Sequence, residues 1–300
     1  MKAEGSSAAP AGMSASVPTE WRFARILRAG TALTTAVLPS SDGSICLFRE
    51  RGVSHLDGNP GTIRNRLIAT LGEAERERVA PFFEEVDLRA KTQLCTAGQP
   101  ISHAVFLHDA ITSTLMDLPE GESIEVGLMG AEGFVGIDLM FGARESISNV
   151  VVQIPGRGAR IKTDDLQREV LAKNPAFQAL LVRYTRAFFG MVAQAGACNA
   201  SHGIQQRLSR WLLMVHDRLH RERFALTHEF IALMLGVRRA SVTEAANQLR
   251  TAGAIDYDRG EVCILSRATL ELSACGCYMI MRQLGESIFT EPTPGSVPTP

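Results

Sequence analysis

The chain has 300 residues, 45% hydrophobic and 21% charged, with a formal net charge of −1. This length predicts two folded domains with accessory segments, and the composition excludes a mini-protein or a globally disordered chain. Neither a run of roughly 18 apolar residues nor an apolar signal core follows the first charges, so a cytoplasmic protein without membrane contact is expected.

The near-neutral total hides an asymmetry. Residues 82–175 carry 8 Lys/Arg against 14 Asp/Glu, whereas 201–270 carry 10 against 7 and four of the seven histidines. A basic segment behind an acidic one points toward nucleic acid. Cys46, Cys95, Cys198, Cys263, Cys275 and Cys277 show no zinc-finger or iron–sulfur spacing. They read as scattered, reduced packing thiols, and no metal site is expected.

Residues 1–61 lack a sustained period and are expected to form an irregular or disordered extension. From Thr62 to Phe83, Ile63, Leu67, Ile68 and Leu71, then the charged run Glu73–Val79, predict one or two short helices closed by Pro81. Between Val86 and Ile161, β-prone runs such as HAVFLH, TSTLMDL, SIEVGLM, NVVVQIP and RGARIK recur at roughly ten-residue intervals, the pattern of an antiparallel barrel or jelly roll. Gly98, Gly121, Gly130, Gly133, Gly136, Gly142, Gly156 and Gly158 are placed at its turns, and no phosphate-binding glycine motif occurs.

Two helical blocks follow, Pro175 to about Cys198 and His202 to about His220. The first carries Phe177, Leu180, Leu181, Tyr184, Phe188, Met191, Val192 and Ala195 at helical spacing. Packing on its own barrel and a coiled-coil dimer seam account for this stripe equally well. Gly190, Ala193, Ala195, Gly196 and Ala197 permit close approach of another helix.

The stretch Thr227–Ile255, THEFIALMLGVRRASVTEAANQLRTAGAI, has helix–turn–helix spacing. Gly236 suits a left-handed turn, Ala232 a close crossing, and Ile231, Leu235, Val237, Val242, Ala245 and Leu249 an inner face. The outward positions are Arg239, Ala240, Ser241, Thr243, Glu244, Asn247 and Gln248, with Arg238 before them. Arg forks onto guanine, Asn or Gln onto adenine, and Ser or Thr onto base edges or phosphate. Thr227 is placed to cap the first helix at a phosphate. Residues 254–265 predict a hairpin wing with Arg259 at its tip.

This order of parts resembles the Crp/Fnr superfamily of bacterial transcription regulators over roughly 62–285. GAEGFVGIDLMFG at 130–142 is similar to its effector-loop signature, and QRLSRWLLMVHDRL at 206–219 to the helix entering its DNA-binding domain. The resemblance implies an α+β fold: a cyclic-nucleotide-binding-like antiparallel jelly roll (62–172), a long dimerisation helix (173–200) and a winged helix–turn–helix (201–285), with a disordered tail at 286–300. The partners expected are double-stranded DNA and a second copy of the chain, with RNA polymerase as a further candidate.

The sequence departs from the family at both ends of that argument. Cyclic-AMP-binding members use a Glu and an Arg where this chain has Ile137 and Ile147, so cyclic AMP does not fit and no cofactor is assigned. Gly136, Ile137, Asp138, Arg144, Ile147, Ser148 and Asn149 remain the effector-pocket candidates, with Arg144 the one substitute for the missing cation. On the second helix Arg239 is kept, but Ala240 and Glu244 replace the Glu and final Arg of members reading the GTGA half-site, so a different operator is expected. A sensor or adaptor that no longer binds DNA is the alternative. A jelly-roll enzyme is less favoured because His103 and His108 lack metal-binding spacing.

Overall fold

The computed structural model describes residues 64–290. The expected extension at 1–61 and the segment 291–300 lie outside the described residues. Asn65 caps α1 (Arg66–Ala69), its Oδ1 accepting from the Leu67 and Ile68 amides. Its Nδ2 donates to the carbonyls of Leu107 at 2.8 Å and Gly133 at 2.7 Å, so a fully buried amide pins this helix to the barrel. α2 (Glu73–Val79) ends in a single 3-10 turn containing Pro81.

Eight strands follow: β1 (Phe83–Leu88), β2 (Gln93–Cys95), β3 (His103–Leu107), β4 (Ile111–Asp117), β5 (Ser123–Met129), β6 (Phe134–Val135), β7 (Asn149–Ile154) and β8 (Gly156–Lys162). They form two four-stranded antiparallel sheets, β1-β8-β3-β6 and β2-β7-β4-β5, the two layers of a jelly roll. Gly156 and Gly158 are not turn residues as the sequence suggested; both lie within β8. A Cβ on Gly158 would stand 2.8 Å from the Phe106 carbonyl, so glycine there serves close strand approach rather than a turn.

α3 (Thr163–Asp165) runs through a π turn into α4 (Pro175–Ser201), which Asn174 caps through the Phe177 amide. α4 reaches three residues beyond the expected Cys198. Its stripe is spent on the chain's own barrel: Phe177 stacks on Phe106 at 6.4 Å and Tyr184 lies 5.4 Å from Phe134. Of the two explanations open for that stripe, barrel packing holds.

α5 (Ile204–Leu219) leads to β9 (Arg223–Ala225), α6 (His228–Leu235), α7 (Arg239–Thr251), β10 (Ile255–Asp258) and β11 (Glu261–Ile264), the strands forming the sheet β10-β11-β9. α8 (Arg267–Ser273) and α9 (Cys277–Ser287) close the chain. α9 packs along α4: a Cβ on Gly190 would stand 3.2 Å from Leu284, and Arg183 donates to the Ile288 carbonyl at 3.4 Å. Residues 286–290, assigned above to a tail, therefore belong to the fold, because Ile288 is fully buried and Phe289 lies 4.2 Å from the Arg66 guanidinium. Among the described residues no helix is long and apolar enough to cross a membrane.

Candidate nucleic-acid interface

α6 and α7 are joined through Gly236, Val237 and Arg238. Gly236 lies at φ 61° and ψ 45°, the left-handed region where a side chain is strained. Thr227 caps α6, its hydroxyl oxygen accepting from the Phe230 amide at 3.2 Å. Ile231, Ala232, Leu235, Val242, Ala245 and Leu249 are buried between the elements.

The opposite face of α7 is open. Ala240, Glu244, Asn247 and Gln248 are exposed, and with Thr243 and Thr251 they line one shallow surface. Arg238 and Arg239 stand exposed at its N-terminal end. Arg239 pairs with Glu229 of α6 at 2.9 Å, both side chains well solvated. Ser241 is half-buried on the flank. Thr243 is half-buried and engaged within the domain: its hydroxyl donates to the Arg239 carbonyl at 3.2 Å and lies 3.0 Å from His228 Nδ1.

His228 in turn stacks on Tyr257 of β10 with ring centroids 4.0 Å apart, and the Tyr257 hydroxyl donates to the Leu226 carbonyl at 3.1 Å. This chain of contacts fixes the angle between α6, α7 and the wing. Burial, reinforced by the Arg239 charge and opposed by Glu229, holds the His228 imidazole below the usual histidine range. The wing turns on Arg259 and Gly260, at φ 46° and 84°, a two-residue mirror-image turn that leaves Arg259 exposed at the tip. His228, Glu229 and Tyr257 were absent from the sequence candidates, since spacing along one element says nothing of a stack between two.

The barrel candidates have differing surroundings. Ile147, which stands where cyclic-AMP-binding members are expected to place an arginine, is 73% exposed. Arg144, the candidate substitute cation, is exposed and pairs with Asp164 at 3.1 Å. Asn149 donates to Asp117 at 2.7 Å and accepts from Gln93 at 2.9 Å. Gly136, at φ 107°, opens the turn that carries half-buried Ile137. Asp138 and Ser148 meet through Ser146, whose hydroxyl lies 3.4 Å from Asp138 Oδ2 and donates to the Ser148 carbonyl at 2.9 Å. Burial raises the Asp138 carboxyl above its usual range and, with Asp138 beside it, lifts the Cys95 thiol to about 11.

The barrel meets the helix–turn–helix directly. A Cβ on Gly236 would stand 3.3 Å from Ile124 of β5, and Arg218 of α5 pairs with Glu132 at 2.7 Å with both side chains largely buried. The cysteines are not all scattered: Cys198, Cys275 and Cys277 form a buried cluster of their own, joined by His202. His103 and His108 are separately bonded, to Ser102 at 2.9 Å and Glu85 at 3.1 Å.

Residues 206–272 match the family model of the Crp-like helix-turn-helix domain. No curated protein matches the sequence. Among solved structures, the chain is similar to a Crp/Fnr family regulator from Eubacterium rectale (TM-score 0.54, 16% identity, covering 69% of this chain and 96% of that one). It is also similar to FixK2 from Bradyrhizobium japonicum (TM-score 0.57, 15% identity, 65% and 98% covered). A third is CLP from Xanthomonas campestris, described as a c-di-GMP-responsive global regulator (TM-score 0.52, 12% identity, 65% and 100% covered). The chain therefore carries a Crp-like helix-turn-helix domain at 206–272, within the fold that these solved regulators share.

Proposed function

We propose that the protein reads double-stranded DNA as a homodimer on an inverted repeat, α7 of each protomer entering one of two major grooves about one helical turn apart. The observation that carries this reading is the exposed face of α7, where Asn247, Gln248 and Glu244 stand beside Arg238 and Arg239 on a helix braced by the Thr243–His228–Tyr257 contacts. Asn and Gln pair with adenine, Glu with cytosine and Arg with guanine, while Thr227, Arg259 and the flanking Ser241 serve the backbone.

The dimer seam lies on the side of α4 turned away from the barrel. Ala179, Val182, Arg186, Phe189, Ala193, Gly196 and Ala200 are exposed there at alternating three- and four-residue spacing, with Phe189 at 69% and Val182 at 49% exposure. That is heptad spacing, and a Cβ on Gly196 would meet nothing within 4 Å, leaving room for a second backbone. The barrel supplies the input: its β5 touches the helix–turn–helix at Gly236, so an event in the barrel biases DNA reading only by favouring one of two such arrangements.

The test is selection of bound sequences from random duplex DNA by the full chain, without and with cyclic AMP, followed by a salt titration on the enriched site. Enrichment of an inverted repeat without nucleotide, with affinity falling steeply as salt rises, is expected. Failure to enrich any sequence under either condition overturns the reading in favour of an adaptor.

A further inference from the structure

We propose that Cys198, His202, Cys275 and Cys277 form a closed four-ligand site for one zinc ion that fastens the end of α4 to the start of α9. Cys198 lies in the last turn of α4 and His202 is its cap, while Cys275 and Cys277 flank Gly276 at the head of α9. One ligand atom from each lies within 4.8 Å of all the others. Cys198 Sγ and Cys275 Sγ are 3.4 Å apart, and Cys277 Sγ and His202 Nδ1 are 3.6 Å apart. Four ligands around a zinc ion at the usual zinc–sulfur length stand about 3.8 Å from one another, so the donors surround a space of the right size for a single tetrahedral ion. An iron–sulfur cluster distributes its cysteines over several irons and needs them spread more widely.

The donor set specifies the ion. Sulfur and imidazole select a soft or borderline cation over calcium or magnesium, and four protein ligands leave no position open for substrate, the mark of a structural site. The three cysteines are buried and form a group separate from the main apolar core. Apolar packing gains nothing from aiming a ring nitrogen at sulfur, whereas a metal does.

The surroundings fit a zinc thiolate. Gln194 Nε2 donates to Cys277 Sγ at 3.1 Å, and the Cys277 amide is bonded to the Cys275 sulfur. Zinc with three thiolates and a neutral imidazole carries one net negative charge, and the guanidinium of Arg207, buried beside Cys198 and Cys275, answers it. Arg207 also donates to the Leu235 carbonyl at the end of α6. The site thus sits at the α4–α5 joint, one side chain away from the helix–turn–helix.

The experiment is elemental analysis and thiol titration of the full chain, purified under reducing conditions after growth with added zinc. About one zinc per chain is expected, released as the thiols are titrated with an organomercurial, and cobalt in its place is expected to give the visible bands and sulfur-to-metal charge transfer of tetrahedral cobalt thiolate. The double variant Cys275→Ser/Cys277→Ser is expected to lose the metal and Cys95→Ser to keep it. Because the double variant can fail to fold, hydrogen exchange of the intact protein before and after chelation is the second readout, with protection expected to fall at 198–203 and 275–284. No bound zinc after loading, a Cys198–Cys275 disulfide in the peptide map, or iron with acid-labile sulfide each overturns the proposal. None of these readouts depends on DNA binding.

Discussion

The Trp211 indole N–H donates to Glu125 Oε1 at 2.8 Å, joining barrel strand β5 to α5 through a carboxyl that is fully enclosed. Burial lifts that carboxyl from 4.5 to about 7, against the pull of Ser113, Trp211, Arg210 and Arg218. The joint between the barrel and the helix–turn–helix domain therefore includes a carboxyl that burial pushes up toward neutrality.

The folded protein keeps the Glu125 proton up to a pH of about 7, while the unfolded chain releases it near 4.5. The native state binds more protons across that window, so this group's contribution to stability falls as pH rises through it. Glu125→Gln is expected to remove that slope, seen as urea midpoints that decline less toward neutral pH than those of the parent. Trp211→Phe strands the carboxyl and is expected to cost about 1–3 kcal/mol in the same assay.

His228 has the opposite sign. Its folded pKa lies below the ordinary 6.5, so the unfolded chain takes up protons first and the contribution present above 6.5 is lost as pH falls through it. His228→Phe keeps a ring against Tyr257 and is expected to lose less stability on acidification than the parent, measured as urea midpoints on either side of 6.5.

Arg239→Ala is expected to cost about 1–3 kcal/mol on the selected operator and to relax sequence choice, whereas Arg259→Ala weakens all sequences alike and lowers the salt slope by about one. Glu229→Gln frees Arg239 from an exposed ion pair worth about 0–1 kcal/mol, so it is expected to leave stability nearly unchanged while tightening nonspecific binding. Fluorescence anisotropy over a salt series separates the three.

Phe189→Arg places a charge in the proposed seam, on the exposed face of α4, without touching the barrel core. The variant is expected to fold, to sediment as a monomer, and to lose most affinity for the inverted repeat while keeping weak half-site binding.

The helix–turn–helix was legible from residue type alone because its constraints are local: a capping Thr227, a left-handed Gly236 and a 3.6-residue apolar period on α7. The longer strands of the jelly roll were legible for the same reason, except β1, whose FEEVDL begins in the stretch assigned to helices and lacks alternation, and β2 and β6, which carry too few residues to show any. The stripe on α4 announced burial but not its partner; the structure gives that face to the barrel and leaves the Ala179–Ala200 face open.

What the amino-acid order by itself determined was the sequence of parts and the exposed polar face of α7, because periodicity, caps and turns act over a few residues. Only the tertiary structure decided that Ile147 faces solvent, that Thr243 is bound into His228, that Glu125 meets Trp211 across 86 residues, and that Cys198 reaches Cys275 across 77. Those pairings cost chain entropy that no local pattern records, and they form because burial of the surrounding apolar surface brings distant segments together.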